Sequence, residues 1–154
     1  MRFLFTTLFI LIVLNFSNSE LRAQSLQDQA ICAAQARKTF QEENVEWDRQ
    51  DKQTNLGMRT IGVDYESHYN AKINRCLMLV IRTYSFGKET STSKSLYDAI
   101  ERRQYGQYLW TSREGKKYWE VPPLSCELTP SHSETQYCKS EDEFSAFVAK
   151  YMEE

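Results

Sequence analysis

Three polar residues, Glu66, His68 and Asn70, occupy alternate positions of the chain. If this segment is extended, they share one face, because side chains two positions apart in a strand point the same way. A histidine oriented by a carboxylate can act as a general base. His68 and Glu66 are therefore the candidate pair for a small hydrolase. The competing interpretation, which we favour, is a hydrogen-bonded polar entrance to a strand.

The rest of the sequence does not complete such a catalytic site. No serine or cysteine lies in a recognisable nucleophile elbow. The second histidine, His132, falls in a polar loop, and two histidines without suitably spaced carboxylates do not indicate a catalytic metal. We therefore assign no catalytic residue, metal or cofactor, and a non-enzymatic role is favoured.

A dense group of aromatic residues in the second half of the chain offers a different kind of chemistry. Tyrosine and tryptophan give rigid contact area with a polar end, and both are enriched at binding surfaces. A ligand or partner surface is one interpretation, and the core of a small sheet is the other. The residues are Tyr105, Tyr108, Trp110, Tyr118 and Trp119.

Four cysteines, Cys32, Cys76, Cys126 and Cys138, allow three disulfide pairings. We favour Cys32–Cys76, which would attach an N-terminal helix to a strand, and Cys126–Cys138, which would close a short turn-rich loop. In the chain-entropy model these bonds contribute at most about 4 and about 3 kcal/mol. A zinc site is disfavoured because no C-x-x-C pair is present.

The first 25 residues have the build of a secretory signal peptide. Arg2 is followed by a largely apolar stretch without charge over 3–16, and small residues permit cleavage between Ser19 and Ser25. The apolar stretch is shorter than the roughly 20 residues of a spanning helix, so a retained anchor is the weaker interpretation. We expect a periplasmic or secreted protein with a single domain over 26–154 and no stable membrane anchor after cleavage.

The charge balance argues against nucleic acid as a partner. The chain has 19 basic and 21 acidic residues and a net charge of −2. Binding to nucleic acid or to an anionic membrane calls for a clustered basic face. The expected partner is therefore an unidentified protein or a small ligand.

A strand must position these residues, and the best candidate spans 74–84. Its six consecutive apolar residues, 76–81, exceed the alternating pattern of a half-buried strand. Alternate residues would then face two covered sides, with Cys76, Met78 and Val80 on one and Leu77, Leu79 and Ile81 on the other.

Two amphipathic helices are available to cover those sides. The first spans 26–43 with a stripe formed by Cys32, Ala33, Ala36 and Phe40. The second follows a capping box in which Ser140 and Glu143 satisfy the first turn. Its apolar stripe comprises Phe144, Phe147, Val148 and Tyr151.

Shorter segments complete the predicted fold. The hydroxyl-rich stretch 89–95 is predicted as a loop, and 105–111 and 118–121 as strands. Consecutive short strands joined by turns favour antiparallel pairing. We expect an α+β fold: an antiparallel meander of about four strands with an N-terminal and a C-terminal helix packed on it, stapled by disulfides.

The chain also resembles a group of small exported bacterial proteins without assigned function. The resemblance is carried by 67–70 (SHYN), Cys76, 117–123 (KYWEVPP) and Cys126, and it would span most of the mature chain. It implies bacterial export and a two-disulfide layout, and no activity or cofactor. The function expected is a non-enzymatic binding or accessory domain that uses the Tyr/Trp-rich surface. The alternatives are the His68/Glu66 hydrolase and an inhibitor that presents the Cys126–Cys138 loop.

Overall fold

The computed structural model describes residues 26–49, 57–129 and 134–153. Within these ranges, one helix precedes and one follows six strands of a single antiparallel sheet. The elements are α1 (26–49), β1 (Met58–Asn70), β2 (Arg75–Phe86), β3 (Glu89–Asp98), β4 (Gln104–Thr111), a 3-10 turn (Tyr118–Glu120), β5 (Ser125–Leu128), β6 (Gln136–Tyr137) and α2 (Glu141–Met152). The expected α+β class is confirmed, with six strands in place of about four.

The sheet is a simple meander, in which each strand pairs with the next one in the chain. The polar stretch 89–95 was expected to be a loop, but it forms most of β3, paired on both sides by β2 and β4. Hydroxyl side chains are compatible with this because they bond across the strands, as Ser91 Oγ and Thr111 Oγ1 do at 2.8 Å. The polar strand β1 was likewise not predicted, because it lacks an apolar run.

Strand β2 confirms the prediction of two covered faces. Cys76, Met78 and Val80 belong to a buried cluster under α1. Leu77 and Leu79 belong to a separate, larger cluster under α2. The sheet is therefore the middle of three layers, with one helix on each side.

Helix α1 lies on the sheet through its smallest residues. Cys32 and Ala36 are buried, whereas Ala33, expected in the same stripe, is exposed. Thr39, one turn after Ala36, is buried in its place, and its hydroxyl donates to the carbonyl of Ala99 at 2.7 Å. A buried hydroxyl is tolerated when it has such a partner.

Helix α2 begins where the capping box was predicted. The Ser140 hydroxyl accepts a hydrogen bond from the Glu143 amide at 3.2 Å, and the Glu143 carboxylate accepts one from the Lys139 amide at 2.8 Å. Phe144 and Val148 are buried against the sheet. The stripe predicted from the sequence thus faces the larger cluster.

Both favoured disulfides are present. Cys32–Cys76 joins α1 to β2 across 44 residues, and Cys126–Cys138 closes the β5–β6 hairpin. Residues 130–133, and with them His132, lie outside the described residues.

Candidate functional site

The Glu66–His68–Asn70 face exists, but the fold uses part of it structurally. All three residues lie on β1, on the side of α2, opposite Leu79, Leu77 and Arg75 of β2. Asn70 is buried and caps the following turn, because its Oδ1 accepts from the amides of Lys72 (3.0 Å) and Ile73 (3.2 Å).

The same asparagine also ties β1 to α2, since its Nδ2 donates to the Tyr151 carbonyl at 3.0 Å. Glu66 is exposed and His68 half-buried. Every cysteine is in a disulfide, so no thiol can serve this pair as nucleophile. No group of three potential metal ligands occurs within the described ranges.

The five aromatic residues divide into a buried and an exposed set. Tyr105 and Tyr108 are 6% and 2% exposed and, with the half-buried Trp110, pack in the larger cluster under α2. The Tyr108 ring lies 5.8 Å from that of Phe144. Tyr118 and Trp119 are 44% and 76% exposed. Of the five, therefore, only Tyr118 and Trp119 present much of their rings to solvent.

These two exposed residues belong to a 3-10 turn, although the sequence predicts a strand there. Trp110 explains the difference, because its Nε1 donates to the Val121 carbonyl at 3.0 Å and its ring contacts Tyr118 at 4.7 Å between centroids. Pro122 and Pro123 follow and cannot donate to a ladder. The chain thus turns over Trp110 before it enters the sheet again at β5.

A cleft of about 290 Å³ opens between this turn and the first turn of α2. We call it the Trp119 cleft. The 3-10 turn and the two prolines form one wall, the start of α2 forms the other, and Tyr108 contributes from the sheet beneath. Its lining residues are Tyr108, Tyr118, Trp119, Glu120, Val121, Pro122, Pro123, Lys139, Ser140, Glu141 and Asp142.

A chain of hydrogen bonds connects the two walls of the cleft to the sheet. Lys94 of β3 lies beside Tyr108 in the strand register, and its Nζ contacts Glu141 Oε1 at 2.5 Å. Tyr118 donates its hydroxyl proton to Glu141 Oε2. Because that proton is used, Tyr108 must donate to the Tyr118 oxygen, 2.9 Å away.

The pKa shifts follow from this arrangement. Burial raises the pKa of Tyr118 well above its ordinary value, and the hydrogen bonds to Glu141 and Tyr108 raise it further. Burial also acts to raise the pKa of Glu141, but the hydrogen bonds from Lys94 and Tyr118 outweigh it and leave the pKa lowered. Neither group titrates near neutral pH, where a general acid or base is most effective. This chain of hydrogen bonds is therefore suited to holding the cleft in shape.

Trp119 is the most exposed aromatic residue of the cleft. The ammonium group of Lys117 lies 5.1 Å from the centroid of its ring, within cation–π range. The turn below it is fixed by the Glu120 carboxylate, which accepts from the Lys117 amide at 2.8 Å. The indole therefore stands on a bonded turn and still exposes most of its surface.

Sequence reasoning identified the aromatic residues of the cleft but not its charged ones. Lys94 was placed in a loop, and Glu141 was interpreted only as part of the capping box. The signal available was Glu141 itself, a carboxylate in the first turn of a helix just after a disulfide loop. Nothing in the sequence indicates its contacts with Lys94 and Tyr118, which lie 47 and 23 positions earlier.

In the part of the chain that the structure describes, neither helix has the length and hydropathy needed to cross a bilayer. A scan against protein-family models, a search of curated proteins and a search of solved structures each give no match.

Proposed function

We propose that this protein is an exported, non-enzymatic binding or accessory domain whose ligand or partner contacts the Trp119 cleft. One observation carries the proposal: a tryptophan that is 76% exposed stands at a cleft whose walls are already bonded together. Exposed tryptophan is costly to leave in water and is enriched where binding energy concentrates.

The rigidity of the cleft supports a binding role. Tyr118 is held by Glu141 and by Tyr108, and Val121 is held by Trp110. A site that is ordered before binding loses less conformational entropy when the ligand arrives. Among serine, threonine and cysteine side chains, only Ser140 lines the cleft, and its hydroxyl is used to cap α2.

Export is supported by the signal-like segment 1–25 and by the two disulfides, which form and persist in oxidising compartments. Export is tested by fractionation of cells that produce the full chain. We expect the oxidised form, shortened by 19 to 25 residues, outside the cytoplasm. An unprocessed chain with four free thiols would contradict export.

The binding proposal is tested by affinity capture, followed by mass spectrometry, from the cell envelope and the culture medium of the producing organism. The baits are the oxidised protein from residue 26 onward, Trp119→Ala, and Tyr137→Ala as the matched control. Tyr137 is also 76% exposed, but it lies opposite Glu127 on the other face of the sheet. We expect a ligand or partner that Trp119→Ala loses and Tyr137→Ala keeps.

A second candidate is an inhibitor that inserts the β5–β6 hairpin into a target enzyme. The observation that favours it is the disulfide across the hairpin, next to which the Cys138 amide donates to the Cys126 carbonyl at 2.9 Å. The same capture experiment separates the two candidates. Loss of the partner in Tyr137→Ala, with retention in Trp119→Ala, would assign the hairpin and refute the cleft.

A further inference from the structure

We propose that the ligand of the Trp119 cleft is a neutral carbohydrate; this inference rests on the binding role proposed above. A sugar ring has an apolar face of C–H groups and a rim of hydroxyls. The face would stack on the indole of Trp119, and the rim would bond to the charged side chains around it. Three observations support this assignment.

The first observation is the balance of charge. The carboxylates of Glu120, Glu141 and Asp142 line the cleft together with the ammonium group of Lys139. Two further ammonium groups lie at its border, Lys94 bonded to Glu141 and Lys117 beside Trp119. Three charges of each sign leave the cleft without a net charge that would favour an anionic or a cationic ligand. The binding of an uncharged ligand does not depend on such a net charge.

The second observation is the supply of hydrogen-bonding side chains. Neither the Asp142 carboxylate nor the Lys139 ammonium has a bonding partner among the described residues, and both side chains are exposed beside the cleft. One is an acceptor and the other a donor. A hydroxyl can both donate and accept, so the hydroxyls of a sugar can bond to the two together.

The third observation concerns the backbone, which is poorly suited to a peptide. Pro122 and Pro123 have no N–H group, and the Val121 amide and carbonyl already bond to Tyr118 and Trp110. Strand β4 beneath is paired with β3 over its length and with β5 over 106–109, so most of its backbone is already bonded. A peptide that binds by adding a strand would lack partners for its main chain.

The size of the cleft sets the size of the ligand. At about 290 Å³ it is at the lower limit of small-molecule sites, which begin at about 300 Å³. It would therefore hold a short glycan segment, and the rest of a longer chain would extend over the exposed face of Trp119.

The test uses the oxidised protein from residue 26 onward and defined probes: neutral trisaccharides of glucose, mannose and N-acetylglucosamine. The indole N–H signals of its three tryptophans, Trp47, Trp110 and Trp119, are followed by ¹H–¹⁵N NMR during titration. We expect the Trp119 signal to shift with at least one sugar and the Trp47 signal, on the other side of the sheet, to stay in place. Trp119→Ala should weaken binding more than about tenfold.

Two further variants assign the polar contacts. Asp142→Asn should weaken binding by about tenfold, because a hydrogen bond to a charged acceptor is replaced by a weaker one. Tyr137→Ala should leave it within about twofold, since exposed positions away from a site have small effects. Sugar binding that is unchanged in Trp119→Ala would overturn the inference.

The other outcomes separate this inference from the proposed function. If no neutral sugar binds but a captured protein or peptide depends on Trp119, the carbohydrate is wrong and the binding site stands. If nothing that binds depends on Trp119, both proposals fail.

Discussion

The two sides of the sheet are built in different ways. Under α1, the buried cluster is small and consists mainly of cysteine, alanine and two β2 residues, Met78 and Val80. Under α2, the cluster is larger and contains whole aromatic rings, among them Tyr108 and Phe144. Buried apolar area is the main source of stability, so the α2 side contributes more of it.

The α1 side compensates with specific bonds. The disulfide Cys32–Cys76 and the hydrogen bond from Thr39 to Ala99 hold the helix at its middle. Near its end, the buried guanidinium of Arg82 lies 3.7 Å below the ring of Trp47 and donates to Asn44 at 2.9 Å. Helix α2 is thus held mainly by the packing of buried side chains, whereas α1 adds a disulfide and buried polar contacts to the packing of Phe40 and Trp47.

The largest expected loss of stability is on the α2 side of the sheet. Phe144→Ala removes a fully buried ring from the larger cluster and should lower the free energy of unfolding by about 4 kcal/mol. Urea denaturation followed by circular dichroism measures it. The exposed neighbour Ala146→Gly serves as the helix control, at about 1 kcal/mol. A loss as small as that of the control would mean that α2 is not held by packing.

The next largest loss of stability is expected when the disulfide on the α1 side is removed. Cys32→Ser with Cys76→Ser should cost about 3 kcal/mol, and Cys126→Ser with Cys138→Ser about 2 kcal/mol, because the first bond closes the longer loop. Equal losses in denaturation, or a larger loss for the hairpin, would contradict the view that α1 depends on its covalent bond.

The stacked arginine should have a smaller effect. Arg82→Lys keeps the charge but loses the planar stacking on Trp47 and the bond to Asn44, which should cost about 1 to 2 kcal/mol. Arg113→Lys, at an exposed position, is the control and should change little. A near-neutral Arg82→Lys in thermal unfolding would show that the end of α1 is held by other contacts.

The smallest expected effect concerns the hydrogen-bonded chain of the cleft. Because the folded-state pKa of Glu141 is lowered, its stabilisation is present above the ordinary carboxyl pKa and is lost as pH falls through the folded value. Glu141→Gln should therefore cost about 1 kcal/mol at pH 7 and less in acid. Melting temperatures at pH 7 and pH 3 measure the difference.

The contribution of Tyr118 to stability depends on pH with the opposite sign. Its pKa is raised, so its contribution is present below the ordinary tyrosine pKa and decreases as pH rises above it. Tyr118→Phe should make the protein less sensitive to alkaline pH than the wild type. An unchanged alkaline profile would mean that burial and the hydrogen bonds of Tyr118 do not raise its pKa in the folded protein.

Regular patterns made much of the fold predictable, whereas the cleft depends on contacts that have no pattern. The apolar run of β2, the stripe of α2 and the cap at Ser140 each follow from local spacing, and the structure agrees with all three, except that the Glu143 carboxylate accepts from the Lys139 amide and not from that of Ser140. Strand β3 was missed because its stability comes from pairing on both sides rather than from its own side chains.

The turn at 118–120 was missed for a similar reason. The residues Tyr118 and Trp119 favour a strand by propensity, but a bond from Trp110 to the Val121 carbonyl holds them in a 3-10 turn. The site prediction, which stays a prediction, therefore named aromatic residues that line the Trp119 cleft without their geometry. It also grouped Tyr105 and Tyr108, which are core residues, with Trp119, which is exposed.

The position of α2 after all six strands has a consequence for synthesis. A ribosome makes the chain from the N-terminus, so the residues of α1, β1 and β2 are all present while the second half is still being made. The larger core cannot close until α2 has appeared. Until then Leu77, Leu79 and Leu96 lack the helix that covers them, and the growing chain exposes its most apolar strand to any chaperone within reach.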